Sequence, residues 1–165
     1  MTKRNKISIK DFFVKNRKLF AVVLISIIFD QITKMTVSLF KTSNLIIIKN
    51  QFNLEYFINN KFIIDFGLNI YIKKSISFAL TITLIYFLFI IYKKINKNKK
   101  YLYLGFGLIT GGSLSNLIDR IIFGGVIDFI NIHKISTFNF ADIFLITGMV
   151  LIAFEFIKNN DNYLK

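Results

Sequence analysis

Four of the nine acidic residues in this 165-residue chain, Asp30, Asp119, Asp128 and Asp142, fall within or at the ends of long apolar runs. A carboxylate at the centre of a membrane helix costs about 2.5–3.5 kcal/mol, so residues kept there are expected to have a use. Asp128 stands in Gly124-Gly125-Val126-Ile127-Asp128-Phe129-Ile130, where the glycine pair allows a tight reversal of the chain. Its apolar neighbours desolvate the carboxyl, raise its pKa and favour the protonated acid. Asp142 closes Asn139-Phe140-Ala141-Asp142. Asn139 there suits a helix N-cap and makes Asp142 the third helical residue, near the positive end of the helix dipole, which favours the ionised form. Capping alone accounts well for Asn139 and partly for Asp142. Brought face to face, two such carboxyls share one proton, so that one is an acid and the other a base. The ionised group can take a proton from water as that water attacks a peptide carbonyl. Its protonated partner supports the developing oxyanion and then helps protonate the leaving amine.

Other residues surround this pair with a supporting chemistry. Asp30 and Lys34 are four apart on one helical face and can form a partly buried ion pair that orients the helix. Asn116 and Arg120, also four apart, send an amide and a guanidinium along one helix edge, where both can bond a peptide backbone or a carboxylate. The lesser alternative for Arg120 is that it simply snorkels to lipid headgroups. Asp119 is expected to serve Arg120 or the helix end. The single histidine, His133, has no second histidine and no cysteine to join it, so a solvated loop residue is expected and no metal site. Gly112-Ser113 and Ser115 lack the Gly-x-Ser-x-Gly pattern of a nucleophile elbow, and the nearby glycines lack the lysine of a phosphate-binding loop.

The elements that must position these groups are membrane helices. The chain is 54% hydrophobic, against about 45–50% in an average soluble domain, and the excess is gathered into long runs. Spans are expected at about 19–40, 75–92, 101–118 and 140–157. At about 1.5 Å per residue, 18–22 residues match a hydrocarbon core about 30 Å thick. The net charge of +13 comes from lysines and arginines that flank the spans, so it points to a membrane and not to nucleic acid. Residues 1–18 form a basic tail, and Lys93, Lys94, Lys97, Lys99 and Lys100 crowd the connection after the second span. Both segments are therefore expected inside, with both termini cytoplasmic and the connections 41–74 and 119–139 on the outer face. The first apolar run is too long for a cleaved signal and reads as a retained helix. Runs such as Leu45-Ile46-Ile47-Ile48 and Phe52-Asn53-Leu54-Glu55-Tyr56-Phe57 predict short strands in the first outer connection. Gly107, Gly111 and Ser115, with Gly105 and Gly112 beside them, predict close helix packing along the third span. The fold class expected is thus an all-α membrane protein of four transmembrane helices with a small β-rich extracytoplasmic element in the first outer loop, the whole of 1–165 forming a single domain.

On Asp30-Gln31-Ile32-Thr33-Lys34, on Gly111-Gly112-Ser113-Leu114-Ser115-Asn116-Leu117-Ile118-Asp119-Arg120 with Gly125-Val126-Ile127-Asp128-Phe129, and on Phe138-Asn139-Phe140-Ala141-Asp142, the chain resembles lipoprotein signal peptidase, the type II signal peptidase of bacterial membranes. The resemblance runs from about residue 19 to 157. It implies that Asp128 and Asp142 form a catalytic dyad near the outer surface of the bacterial inner membrane, without metal or other cofactor. It further implies that Asn116 and Arg120 line the substrate groove, that Asn139 and Ala141 shape it, and that Asp30 and Lys34 support it. The substrate implied is a prolipoprotein whose cysteine carries diacylglycerol, cut on the amino side of that cysteine. Besides that substrate and membrane lipids no partner is expected, and the chain is taken as a monomer. One segment departs from the family pattern: where Asn-x-Gly-Ala-Ala-Phe is usual, this chain has Asn59-Asn60-Lys61-Phe62-Ile63-Ile64. Asn59 can be matched, but bulky residues replace the small ones that would let backbone approach substrate closely. Two alternatives stand beside the peptidase: a small ion or proton transporter using intramembrane carboxylates, and a family member that binds lipoprotein precursors without cutting them.

Overall fold

Polar side chains point inward and large apolar ones point outward along the helices of this protein, the reverse of a water-soluble bundle. Ser26, Asp30 and Lys34 of the first helix are buried, while Ile25, Ile28, Ile32 and Met35 of the same helix are more than half exposed. The structure, a computed structural model, describes residues 12, 14, 16–40, 45–48, 51–60, 69–94, 99–133 and 136–160. In chain order these form α1 (Arg17–Phe40), β1 (Leu45–Ile48), β2 (Phe52–Asn59), α2 (Ile70–Lys94), α3 (Lys100–Phe123), β3 (Val126–Ile132), β4 (Ser136–Phe138) and α4 (Phe140–Asn160). The variant segment Lys61–Ile64 falls outside the described residues.

Each expected span lies inside one of the four helices. In α1, α2 and α4, the stretches Arg17–Leu39, Ile70–Tyr92 and Phe140–Lys158 are long and apolar enough to cross a membrane, with mean hydropathies of 1.7, 2.1 and 2.1. The helix α3 is not among them, and its composition shows why: glycines, serines, Asn116, Asp119 and Arg120 take the places that lipid-facing residues hold elsewhere. Its buried residues include Gly105, Gly111, Ser115, Asn116 and Asp119, so α3 is the helix that the others pack around.

Close approach depends on two small-residue faces of α3. On one, a Cβ added to Gly107 would come within 2.7 Å of the Val22 side chain, and one on Gly111 within 2.7 Å of Ser26 Cβ. One helical repeat further, Ser115 Oγ donates to Asp30 Oδ2 at 2.7 Å. The ladder 22–26–30 against 107–111–115 therefore runs α1 alongside α3 in the same direction. On the other face, a Cβ on Gly112 would lie 2.6 Å from Ala141 O, and one on Gly148 2.7 Å from Gly105 O, so α4 runs opposite to α3. Small residues at four-residue spacing do this by letting backbones meet. The expected packing stripe is thus present, with a different partner on each face. Away from the site, Tyr92, Leu102 and Phe106 form an apolar cluster, with the Tyr92 and Phe106 rings edge to face at 5.5 Å.

The strands join into one antiparallel sheet in the order β1-β2-β3-β4. Strands at Leu45–Ile48 and Phe52–Asn59 fulfil the expectation for the first connection. The sheet is not confined to that connection, however, because β3 and β4 come from the segment between α3 and α4, read above as a glycine-led reversal. In physical terms the missed signal is the run Val126-Ile127 and Phe129-Ile130, β-branched and aromatic residues that favour a pleated, buried strand. Pairing of β2 with β3, from Phe52↔Ile132 to Asn59↔Val126, places both connections at the same end of the bundle. Gly124 ends α3 in the left-handed conformation, φ 80°, which glycine adopts without steric cost. Gly125 lies against the end of β2: a Cβ there would meet Asn59 O at 2.8 Å.

Candidate active site

Asp128 sits on β3 with its side chain on the bundle side, 3% exposed. Its register partner on β2 is Phe57, and Asn59 of the same strand donates Nδ2 to Asp128 Oδ2 at 2.9 Å. The other oxygen, Oδ1, accepts Asn139 Nδ2 at 2.8 Å. Burial pushes the Asp128 carboxyl up to about 6, against the pull of the Asn59 hydrogen bond; the Asp142 charge adds to the rise, while Asn139 and Lys34 oppose it. Desolvation wins because a buried carboxylate loses more water than two amide donors replace.

Asp142 comes to the same place through a helix cap. Asn139 Oδ1 accepts the Asp142 N–H at 3.0 Å, and the Asn139 N–H donates back to Asp142 Oδ2 at 3.3 Å. This is a capping box, in which N-cap and third helical residue satisfy each other's orphan donors. Asn139 is the expected N-cap, and its Nδ2 also touches Asp128, so a single buried side chain links the two aspartates. Asp142 Oδ1 accepts Asn116 Nδ2 at 2.9 Å. Asn116 must present its nitrogen there, because its oxygen faces Lys34 Nζ at 2.8 Å and an ammonium can only donate.

Beneath this layer lies an ion cluster. Lys34 Nζ bridges Asp30 Oδ2 at 2.6 Å and Asp119 Oδ2 at 2.8 Å, with all three residues at most 1% exposed. The expected Asp30–Lys34 pair is therefore formed, but wholly buried and shared with a second carboxylate. Asp119 was expected to serve Arg120 or the helix end. It binds Lys34, accepts Gln31 Nε2 at 2.9 Å and reaches past the helix to the Ile127 N–H at 3.1 Å, since a buried ammonium demands carboxylates close by. Asp30 Oδ1 accepts the Ala141 N–H at 2.8 Å. Each supporting carboxylate thus holds the peptide N–H of the residue directly before one of the paired aspartates.

Arg120 is half-buried and lines a narrow polar cleft with Asn59, Asn60, Lys74, Ser77 and Gly125, its Nη1 lying 3.5 Å from Asn116 O. All ten residues singled out from the sequence, Asp30, Lys34, Asn59, Asn116, Asp119, Arg120, Asp128, Asn139, Ala141 and Asp142, gather in this one region. Three further participants were not singled out for a part in this site. Gln31 Nε2 bonds Ser115 Oγ at 3.0 Å as well as Asp119, Ser115 bonds Asp30, and Lys74 Nζ caps the end of α3 at Ile121 O, 2.8 Å away. Gln31 had a legible signal, a polar amide in an apolar helix beside Asp30; Lys74 had none. His133 is exposed and pairs with Gln51 through its backbone, N to O 2.9 Å.

Chemically, the arrangement offers one buried carboxyl that holds its proton to about pH 6 and a second held as an acceptor on both oxygens. Residues 22–158 match the family model described as Signal peptidase (SPase) II. Among curated proteins, the chain is 32% identical over 149 residues to the lipoprotein signal peptidase of Pelotomaculum thermopropionicum, covering 89% of this chain and 96% of that one. It is 38% identical over 135 residues to the lipoprotein signal peptidase of Halothermothrix orenii, covering 81% and 90%. A solved bacterial membrane enzyme, determined by the in meso method at 2.3 Å resolution, superposes with a TM-score of 0.75 at 25% identity, over 87% of this chain and 90% of its own.

Proposed function

Because the chain belongs to the signal peptidase II family, a peptidase family of bacterial inner membranes, we propose that it is an aspartic endopeptidase that frees diacylglyceryl-modified prolipoproteins from their signal peptides. The bond cut is the one on the amino side of the lipidated cysteine. The observation that carries this reading is the bracing of Asp128 and Asp142 by one buried asparagine, Asn139.

Asp142, fixed as an acceptor by Asn116 and the Asn139 N–H, takes a proton from a water molecule as its oxygen bonds to the carbonyl carbon. Asp128, which keeps its proton up to about pH 6, donates to the carbonyl oxygen and stabilises the charge that develops there. Collapse of the tetrahedral intermediate breaks the C–N bond, the proton taken up by Asp142 passing to the departing amine of the cysteine and the one on the carbonyl oxygen returning to Asp128. Arg120 lies in the cleft where substrate backbone carbonyls can be bound. Residues 1–165 act as a single domain and as a monomer. All four helices cross the bilayer, with the termini cytoplasmic and the sheet and dyad at the outer face, so the substrate's apolar signal helix arrives sideways through lipid. Convergence of Asp30, Asp119, Asp128 and Asp142 in one bonded cluster favours hydrolysis over an ion path, for which carboxylates would be spaced through the bilayer.

Incubation of the purified protein with a synthetic diacylglyceryl-modified precursor tests the proposal. Mass spectrometry is expected to find a lipidated product beginning at the cysteine; intact precursor after prolonged incubation would refute it.

A further inference from the structure

Phe57 lies directly opposite Asp128 in the β2–β3 ladder. Residues opposite each other in an antiparallel pair share a sheet face, with Cβ atoms about 4.5–5.5 Å apart. The shared face is the one that carries the dyad, because Asn59, two residues along β2, reaches the Asp128 carboxylate from it. Val126 on the same face is buried, whereas Phe57 is 44% exposed. A large aromatic side chain thus stands open across the strand pair from a carboxyl that two amides, Asn59 and Asn139, hydrogen-bond.

Resting on the peptidase reading above, we propose that Phe57 is a specificity-determining residue whose ring limits the side chain next to the scissile bond on its amino side. The carbonyl carbon attacked near Asp128 is bonded directly to the Cα of that substrate residue, so its side chain has to lie within one side-chain length of Asp128. Asn59 and Asn139 occupy both oxygens of that carboxyl, and Phe57 closes the space across the strand pair. Glycine or alanine fits beside the ring; a branched or longer side chain meets it. The lipid on the cysteine lies on the other side of the cut bond and is not sensed.

The test compares three diacylglyceryl-modified precursors that differ only in having glycine, alanine or leucine before the cysteine. For the wild-type protein kcat/KM is expected to favour alanine over leucine. Phe57→Ala is expected to shrink that ratio about tenfold or more, the scale on which pocket size discriminates side chains, and Phe57→Trp to enlarge it. Phe57→Leu, closer in volume, should fall between and serves if the alanine variant does not fold. An unchanged ratio across all variants would overturn the inference, as would a uniform loss on all three precursors. Failure of the wild-type protein to cut any precursor would instead refute the peptidase reading itself.

Discussion

The buried carboxylate of Asp30 accepts the backbone N–H of Ala141 at 2.8 Å, so that α1 grips α4 at the residue immediately before Asp142. Asp119 does the same for Ile127, immediately before Asp128. Lys34 joins the two carboxylates, and through Asn116 it also fixes the amide that faces Asp142. The position of both aspartates thus depends on one buried ammonium.

Removal of that ammonium should be worse than removal of either of its partners. Lys34→Met leaves Asp30 and Asp119 buried with no cation between them, while Asp30→Asn leaves Lys34 still paired with Asp119. Breaking a buried pair costs about 3–5 kcal/mol. Thermal unfolding in detergent is expected to rank wild type above Asp30→Asn and Asp30→Asn above Lys34→Met, and the reverse order would contradict the cluster's role.

The close approach of α1 to α3 predicts intolerance to bulk at Gly111. A Cβ there would lie 2.7 Å from Ser26 Cβ and 2.9 Å from Val23 O, and overpacking of this kind costs about 1–3 kcal/mol. Gly111→Val should lower the unfolding temperature and, by separating Ser115 from Asp30, reduce cleavage. Substitution of Met149, an exposed residue of α4, by Leu is expected to change neither.

The elevated Asp128 carboxyl sets a pH dependence. If Asp128 must be protonated to act, kcat/KM falls as pH rises through about 6. Asn59 donates to the ionised form and lowers the value, so Asn59→Ala should move that midpoint upward. A midpoint that stayed in place or fell would show that Asn59 does not tune Asp128.

The same elevation affects stability with a definite sign. The folded protein holds this proton up to about pH 6 and the unfolded chain only to about 3.8, so the contribution is full below 3.8 and is lost as pH rises through 6. Above pH 6 the ionised group opposes folding. Asp128→Asn, inactive, is therefore expected to unfold at pH 7 at no lower a temperature than wild type; a marked loss would place Asp128 among the structural residues.

How much of this was legible in the sequence follows from how local each feature is. The Asn139 cap and the approach of Asp142 to it depend on three residues of spacing, and helix geometry fixes the Asp30–Lys34 pair in the same way. Apolar run length located all four helices, three of which, α1, α2 and α4, are long and apolar enough to cross a membrane. The sheet was half-read: Leu45–Ile48 and Phe52–Asn59 carry their own β signal, whereas β3 follows a glycine pair that reads equally as a turn and becomes a strand through pairing with β2. The partners of Asp119 were misjudged for a related reason. Arg120 is adjacent in sequence, but Lys34, 2.8 Å from Asp119, is brought there only when α1 lies against α3.

The most direct measurement is cleavage of a diacylglyceryl-modified precursor by wild type, Asp128→Asn and Asp142→Asn, each shown to be folded by thermal unfolding. Both variants are expected to give no product above the uncatalysed background while the wild-type protein cuts before the cysteine. Turnover by either variant at a rate near that of wild type would contradict the shared role of the two aspartates.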